Sequence, residues 1–224
     1  NISAWLAENF LPEWAVDALV ELFEEGRYEE IDDRFFRFLA FGTGGMRGRT
    51  IGKSPAMAEL GRQSEQGTPE HAAVRANNMN DFNVVRATMG LFNYCKSHLG
   101  AAGGVPKLAV AYDVRHFSKR FGELAASVWA RMGGEAYIFD SPRSTPQLSF
   151  TVRRLKTTAG IVITASHNPP HDNGYKVYWQ DGGQLPPERA DEVLACINQL
   201  DYTDYKTMDK QAALDAGLLH IIGK

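Results

Sequence analysis

Residues 157–180 read T-T-A-G-I-V-I-T-A-S-H-N-P-P-H-D-N-G-Y-K-V-Y-W-Q. An apolar run from Ala159 to Ala165 has the length and β-branched content of a buried strand. It ends at Ser166. A loop rich in His, Asn, Pro and Gly runs from Ser166 to Gly174, and Tyr175 to Trp179 forms a second strand. A connection that short joins antiparallel neighbours. Ser166 therefore sits where a buried strand meets a polar loop, which is where α/β proteins place chemistry.

Upstream of this hairpin the pattern alternates. Lys107 to Tyr112 is strand-like. Phe117 to Met132 is helical and stops at Gly133-Gly134. Glu135 to Phe139 is a strand, and Thr145-Pro146 opens a helix to about Leu155, with Thr145 as its cap. A last helix starts at Pro186 and runs to Leu200. Strand–helix–strand–helix–strand predicts a parallel sheet with right-handed crossovers. The expected fold is a three-layer α/β/α domain whose mixed, mostly parallel sheet carries one antiparallel strand.

Before the first of these strands, an amphipathic helix follows the capping residues 77–81 and ends near Leu99. Residues 63–70 are polar, with Gly67 and Pro69, and read as an exposed, mobile loop. The N-terminus forms a helical arm of three pieces. Ser3 caps the first, Pro12 opens the second, and the third spans Tyr28 to Phe36. The expected organisation is an arm over 1–36, a main domain over 37–200, and a linker or the start of a further domain over 201–224. The chain opens on Asn1 and closes on an apolar stretch, so a piece of a longer protein is expected.

A hydrophobic fraction of 44% in 224 residues can build a real core. The net charge of -3 gives no global field for nucleic acid, so any anion must be held locally. Cys95 and Cys196 lie far apart and form no CxxC, which argues against a disulfide scaffold or a zinc site and fits a reducing, cytoplasmic compartment. No apolar run reaches the roughly 18 residues that a membrane span needs.

Three loops would share the rim at the carboxyl ends of parallel strands: Asp113-Val114-Arg115, Ser141-Pro142-Arg143 and Ser166-His167-Asn168. A fourth segment, Phe41-Gly42-Thr43-Gly44-Gly45-Met46-Arg47-Gly48, brackets arginine with glycines that let backbone N–H groups approach an anion. It is neither a dinucleotide fingerprint nor a Walker A loop, and taken alone it fits a phosphate contact and a plain turn equally. A serine among arginines suits a phosphoryl group. A serine hydrolase fits less well, since Ala165-Ser166-His167 is not G-x-S-x-G. Lys176 is either a proton carrier or phosphate clamp, or an ordinary edge lysine. Asp172 and Asp181 do not complete a metal site.

Four segments in order carry a resemblance: residues 41–48, Ala111-Tyr112-Asp113-Val114-Arg115 with Ser118, Thr164-Ala165-Ser166-His167-Asn168-Pro169, and Asp172 to Trp179. They resemble the α-D-phosphohexomutase superfamily of phosphoglucomutases, phosphomannomutases and phosphopentomutases. The extended 172–179 form and the helical arm look most like the phosphoglucomutase/phosphopentomutase branch. The resemblance implies that Ser166 carries a phosphoryl group and passes it to a sugar monophosphate through a bisphosphorylated intermediate. It implies Arg47 as phosphate clamp and Lys176 as acid or base. Gly45, Arg115 and Asn168 would be phosphate contacts, and His167 a member of the same loop. It further implies one Mg²⁺ bridged by the seryl phosphate, a sugar bisphosphate as activator, and a sugar phosphate as substrate. The family's D-G-D-x-D-R, G-E-x-S-G and R-x-S-G-T loops are not in this sequence, which matches the first of four domains. The remaining domains are thus the expected partners, and low activity is expected of these 224 residues alone.

Overall fold

The computed structural model describes residues 2–7, 10–38, 40–42, 44–77, 79–100 and 103–223. The arm comprises α1 (Ile2–Ala7), α2 (Glu13–Glu24) and α3 (Tyr28–Phe35). β1 (Gly45–Arg49), α4 (Met57–Leu60) and α5 (Asp81–Leu99) lead into the alternating part. That part contains β2 (Lys107–Tyr112), α6 (Ser118–Arg131), β3 (Glu135–Phe139), α7 (Thr145–Leu155), β4 (Ala159–Ile163), β5 (Asp172–Trp179) and α8 (Pro187–Asn198). A 3₁₀ turn (Tyr202–Asp204), α9 (Lys210–Asp215) and β6 (Leu219–Ile222) complete the chain.

The strands form one sheet in the order β1-β5-β4-β2-β3-β6. β4, β2, β3 and β6 pair parallel, whereas β5 is antiparallel to both of its neighbours. It is the one reversed strand, as the short loop after β4 requires. Residues 201–224, read from sequence as a linker or a new start, contribute α9 and the parallel edge strand β6 to this sheet.

Each face is covered by the residues that alternate along the strands. Ile161, Ile163, Tyr175, Val177, Leu108 and Val110 pack against α5, α6 and α8, whose inward residues include Leu91, Phe121 and Val193. Ala109, Ala111 and Val162 pack on the other face against Leu148 and Val152 of α7. α7 covers the centre of that face only. The face of β1 and β5 beyond it carries Arg47 and Lys176.

The arm shares a core with the body, since Trp5, Leu19, Leu22 and Phe35 pack with Val74, Ala76 and Phe82. Arg34, fully buried, donates to Glu30 at 2.8 Å and to both oxygens of Glu59 at 2.5 and 3.0 Å, tying α3 to α4. Burial of a charge is tolerated because every face of the guanidinium meets a carboxylate or carbonyl.

Several local expectations are corrected. Ser3 lies inside α1 rather than capping it. Ser144 occupies the cap position of α7, with Thr145 and Pro146 in the first turn. β5 begins at Asp172, so part of the expected loop is strand. The glycine-rich 45–49 segment is a strand rather than a turn, because it pairs with β5 from Gly45↔Lys176 to Arg49↔Asp172. A Cβ at Gly45 would run into the Tyr175 carbonyl, so only glycine allows this approach. Residues 63–70 are largely exposed but folded back on themselves, with Ser64 N–H on Thr68 O at 2.9 Å and Glu70 N–H on Leu60 O at 2.9 Å.

Candidate functional site

Because β4 and β2 are parallel neighbours, Ser166 and the 113–118 turn emerge side by side on one rim, joined by Asp113 N–H on Ile163 O at 3.1 Å. Ser166 is exposed and adopts φ 57°, a left-handed conformation that costs a non-glycine residue about 1–3 kcal/mol. Local bonds impose it. Its N–H donates to Thr164 Oγ1 at 3.0 Å, Asn168 N–H to Ala165 O at 3.1 Å, and Asp172 N–H to Pro169 O at 3.0 Å.

Arg115 fixes the loop from outside. Its Nη2 donates to the Ser166 carbonyl, its Nη1 to Pro169 O at 2.6 Å and Asp172 O at 3.3 Å, and its Nε to Asp113 Oδ2 at 3.1 Å. Four of its five N–H groups are thereby committed to the chain. Asp113 also accepts from Ser118 Oγ at 2.6 Å. Ser118 accepts in turn from Asn173 Nδ2 at 2.9 Å, which reaches the His116 carbonyl at 3.0 Å as well. Asn173 is fully buried, and its Oδ1 accepts from Gly174 N–H at 2.8 Å. The start of β5, the 113–118 turn and the serine loop are thus one closed polar network, satisfied throughout.

Two cations stand beside it. Gly45 pairs with Lys176 and Gly174 with Arg47, so Arg47 and Lys176 project from the same face of adjacent strands, each opposite a glycine. The glycine at 174 is required, since a Cβ there would lie 2.6 Å from the Thr164 carbonyl. Arg47 is exposed and Lys176 half-buried, and neither has a hydrogen-bond or salt-bridge partner among the described residues. Burial lowers the Lys176 pKa, and the Arg47 and Arg115 charges lower it further, against a smaller pull from Asp113. With Gly42, Gly44, Gly45 and Gln184 they line a cleft of about 330 Å³, large enough for a small ligand. Two unpartnered cations on an uncovered sheet face are set up to receive an anion.

The remaining candidates are placed differently. His167 is exposed at the rim. Asn168 donates to Asp172 Oδ2 at 3.0 Å and so braces the loop. Arg143 does not join the cluster. It holds its own turn and the end of β6, with Nη1 on Ser141 and on Pro142 O at 3.0 Å, and Nη2 on Asp140 at 2.9 Å and Gly223 O at 3.1 Å. Thr43 lies outside the described residues. Sequence reasoning missed Asn173, and also His116, whose Nδ1 bonds Thr68 Oγ1 at 2.6 Å and anchors the 63–70 segment to the site. Burial first, and then the nearby His171, lowers the His116 pKa. In the sequence Asn173 stood only as one residue of the 166–174 loop and of the 172–179 segment, with no role attached.

Among the described residues no group of three or more His, Cys, Asp or Glu is placed to hold a metal ion. The carboxylate of Asp113 is taken by Arg115 and Ser118, and that of Asp172 by Asn168. The donor set of these residues does not by itself fit a magnesium ion. No helix among them is long and apolar enough to cross a membrane.

Known proteins are similar to this chain in sequence and in fold. The model of the family described as "Phosphoglucomutase/phosphomannomutase, alpha/beta/alpha domain I" matches residues 63–204. A phosphoglucomutase of Staphylococcus haemolyticus is 36% identical over 185 residues, covering 82% of this chain and 29% of that protein. One from Staphylococcus saprophyticus is 37% identical over 186 residues, covering 83% and 29%. A crystal structure of a putative phosphomannomutase from Thermus thermophilus matches with a TM-score of 0.60 at 22% identity, over 83% of this chain and 33% of that one. A phosphoglucomutase/phosphomannomutase family protein from Burkholderia thailandensis matches with a TM-score of 0.53 at 16% identity, over the same shares of 83% and 33%. At these identities the structural likeness speaks to fold alone. The chain spans about three-tenths of the length of the curated relatives it matches.

Proposed function

Because the chain belongs to the phosphoglucomutase/phosphomannomutase family as its α/β/α domain I, we propose that it is the phosphoryl-carrying part of a sugar phosphomutase. Such an enzyme interconverts hexose 1- and 6-phosphates through a sugar bisphosphate. The observations that carry this reading are an exposed serine held at φ 57° on the rim and, on the adjoining face of β1 and β5, two cations without a partner among the described residues, Arg47 and Lys176.

In this reading Ser166 Oγ holds the phosphoryl group. A sugar hydroxyl oxygen attacks phosphorus, the P–Oγ bond breaks, and the hydroxyl proton leaves to a base. The released Oγ takes up a proton. The second phosphate of the bisphosphate then returns to Oγ by the reverse steps, so one difficult transfer becomes two. Arg47 grips the phosphoryl oxygens with its planar fork. Lys176, its pKa lowered from the ordinary lysine value, exchanges the proton more readily than a solvated lysine. Arg115, Asp113, Ser118 and Asn173 are positioning residues that hold the serine loop. Asn168 braces it from within. Gly45 removes the side chain that would stand over Lys176, and His167 meets substrate from solvent.

A magnesium ion belongs to this reading only with donors from outside these residues, and no step is assigned to it. The sugar bisphosphate serves as activator by charging Ser166, the substrate is a sugar phosphate, and the remaining partners are other domains of the same polypeptide. Two free cysteines agree with a cytoplasmic setting.

Incubation with a sugar 1,6-bisphosphate followed by intact-mass measurement tests the assignment. Addition of one phosphate, lost in Ser166→Ala, is the expected result. A serine that stays unmodified in the full-length protein overturns the carrier role and leaves a phosphosugar-binding module.

A further inference from the structure

Among the described residues, Phe117, Lys156 and Ser166 are the non-glycine residues with a positive φ. Lys156 ends α7 as its C-cap, where a left-handed residue is ordinary. The other two lie on the rim of the candidate site. Phe117, at φ 64°, is the corner where the 113–118 turn enters α6, with its ring buried 5.7 Å from that of Phe121. Such a backbone persists only where its neighbours over-determine it. On one side of the corner, Ser118 N–H donates to Arg115 O at 3.1 Å. On the other, His116 is gripped at two points. Its carbonyl accepts from Asn173 at 3.0 Å, and its Nδ1 lies 2.6 Å from Thr68 Oγ1. In that bond the hydroxyl donates to a bare Nδ1 or accepts from a protonated one. Thr68 belongs to a surface loop that is already shaped by its own bonds. Thr68 N–H donates to Ser64 Oγ at 3.0 Å and Arg62 N–H to Glu70 Oε2 at 2.7 Å, and Pro69 is buried at its root.

We infer that Thr68 and His116 are positioning residues for Ser166, and that the 61–70 loop is a strap holding the Phe117 corner in the geometry that presents the serine hydroxyl. This rests on the phosphomutase reading above for what the hydroxyl does, though not for how its loop is held. The route runs through bonds alone. Thr68 holds the His116 ring, and Asn173 ties the His116 carbonyl to Ser118. Ser118 holds Asp113, which holds the Arg115 guanidinium, which grips the Ser166 carbonyl. Neither Thr68 nor His116 lines the cleft of Arg47 and Lys176, so both act through other residues. A corner free to relax at Phe117 would release Arg115 and with it the left-handed angle at Ser166.

The test uses the full-length protein with Thr68→Val, which keeps the shape and removes the hydroxyl, and Thr68→Ser, which restores the hydroxyl. Hydrogen exchange read by mass spectrometry follows residues 165–172, whose Asn168 and Asp172 amides close the serine loop. Thr68→Val is expected to exchange about fivefold faster there, the effect of one lost hydrogen bond. It is also expected to slow Ser166 phosphorylation by a sugar 1,6-bisphosphate by a similar factor, with the half-saturating bisphosphate concentration unchanged. Thr68→Ser is expected to match the wild type in both. Wild-type exchange in Thr68→Val, or a Thr68→Ser protein as impaired as Thr68→Val, overturns the strap. Faster exchange with an unchanged phosphorylation rate overturns the positioning role. A wild-type protein that takes up no phosphate refutes the phosphomutase reading, and the exchange comparison still decides whether Thr68 holds the serine loop.

Discussion

Arg115 donates through Nη2 to the carbonyl oxygen of Ser166, the residue whose backbone is held at φ 57°. The guanidinium collects three carbonyls of one loop together with the Asp113 carboxylate, a set that needs a planar fork with several donors. A lysine ammonium has three donors at one point and cannot span it. Arg115→Lys is therefore expected to cut the rate of Ser166 phosphorylation tenfold or more and to lower stability by about 1–2 kcal/mol. Rapid-quench mass measurement and urea denaturation check the two parts. An unchanged rate would show that the loop needs no clamp.

Asn173 is, with Ser118, fully buried in the same network. Asn173→Ala leaves the Ser118 hydroxyl, the His116 carbonyl and the Gly174 N–H without their partner. The expected loss is about 2–3 kcal/mol, since buried groups lose bonds they cannot replace with water. The urea midpoint should fall with an unchanged slope. Asn173→Asp should be at least as costly, because it removes the donor to Ser118 and adds a buried charge.

The arm is fastened by charge as well as by its aromatic core. Arg34→Met leaves Glu30 and Glu59, both almost fully buried, without their cation. Breaking one side of such a pair costs about 3–5 kcal/mol. Limited proteolysis should then release the arm ahead of the sheet. If the arm stays protected, the packing of Trp5, Leu22 and Phe35 suffices without the ion pair.

Lys176 gives a pH dependence with a definite sign. Its folded-state pKa lies below its unfolded value, so between the two the unfolded chain binds the extra proton. Stability contributed at this site therefore rises as pH increases through the folded pKa toward the ordinary lysine value near 10.4. Lys176→Met is expected to be more stable than wild type at neutral pH, with the gap closing as pH rises through that window. Urea midpoints from pH 7 to 10 measure it. A gap that stays constant means that the lysine is solvated and unperturbed. The same variant should lose Ser166 phosphorylation a hundredfold or more.

The sheet and its order of elements were legible because the strands are apolar runs bounded by helix caps and glycine stops, and because the nine-residue loop after Ala165 forced one reversed strand. β1 was not legible. G-M-R-G-R has no alternation of apolar and polar residues, and it becomes a strand only because β5 offers an edge that glycine alone can approach. The chemistry divides along the same line. Ser166, Arg47 and Lys176 stood out in the sequence as candidates through the family resemblance, whereas the orientation of a guanidinium is decided by tertiary contacts. Arg115 and Arg143 read alike in sequence, yet one grips the serine loop and the other the end of β6. Asn173 and His116 act through bonds to residues 55 and 48 positions away, which no local pattern encodes.

The phosphoryl-carrier role proposed for Ser166 is tested most directly by the mass of the full-length protein, purified without phosphatase treatment, before and after exposure to a sugar 1,6-bisphosphate. One phosphate mapping to Ser166, transferable to an added sugar monophosphate and absent from Ser166→Ala, is the predicted result. An unmodified Ser166 under the same exposure, or a phosphate mapping to any other residue, would contradict it.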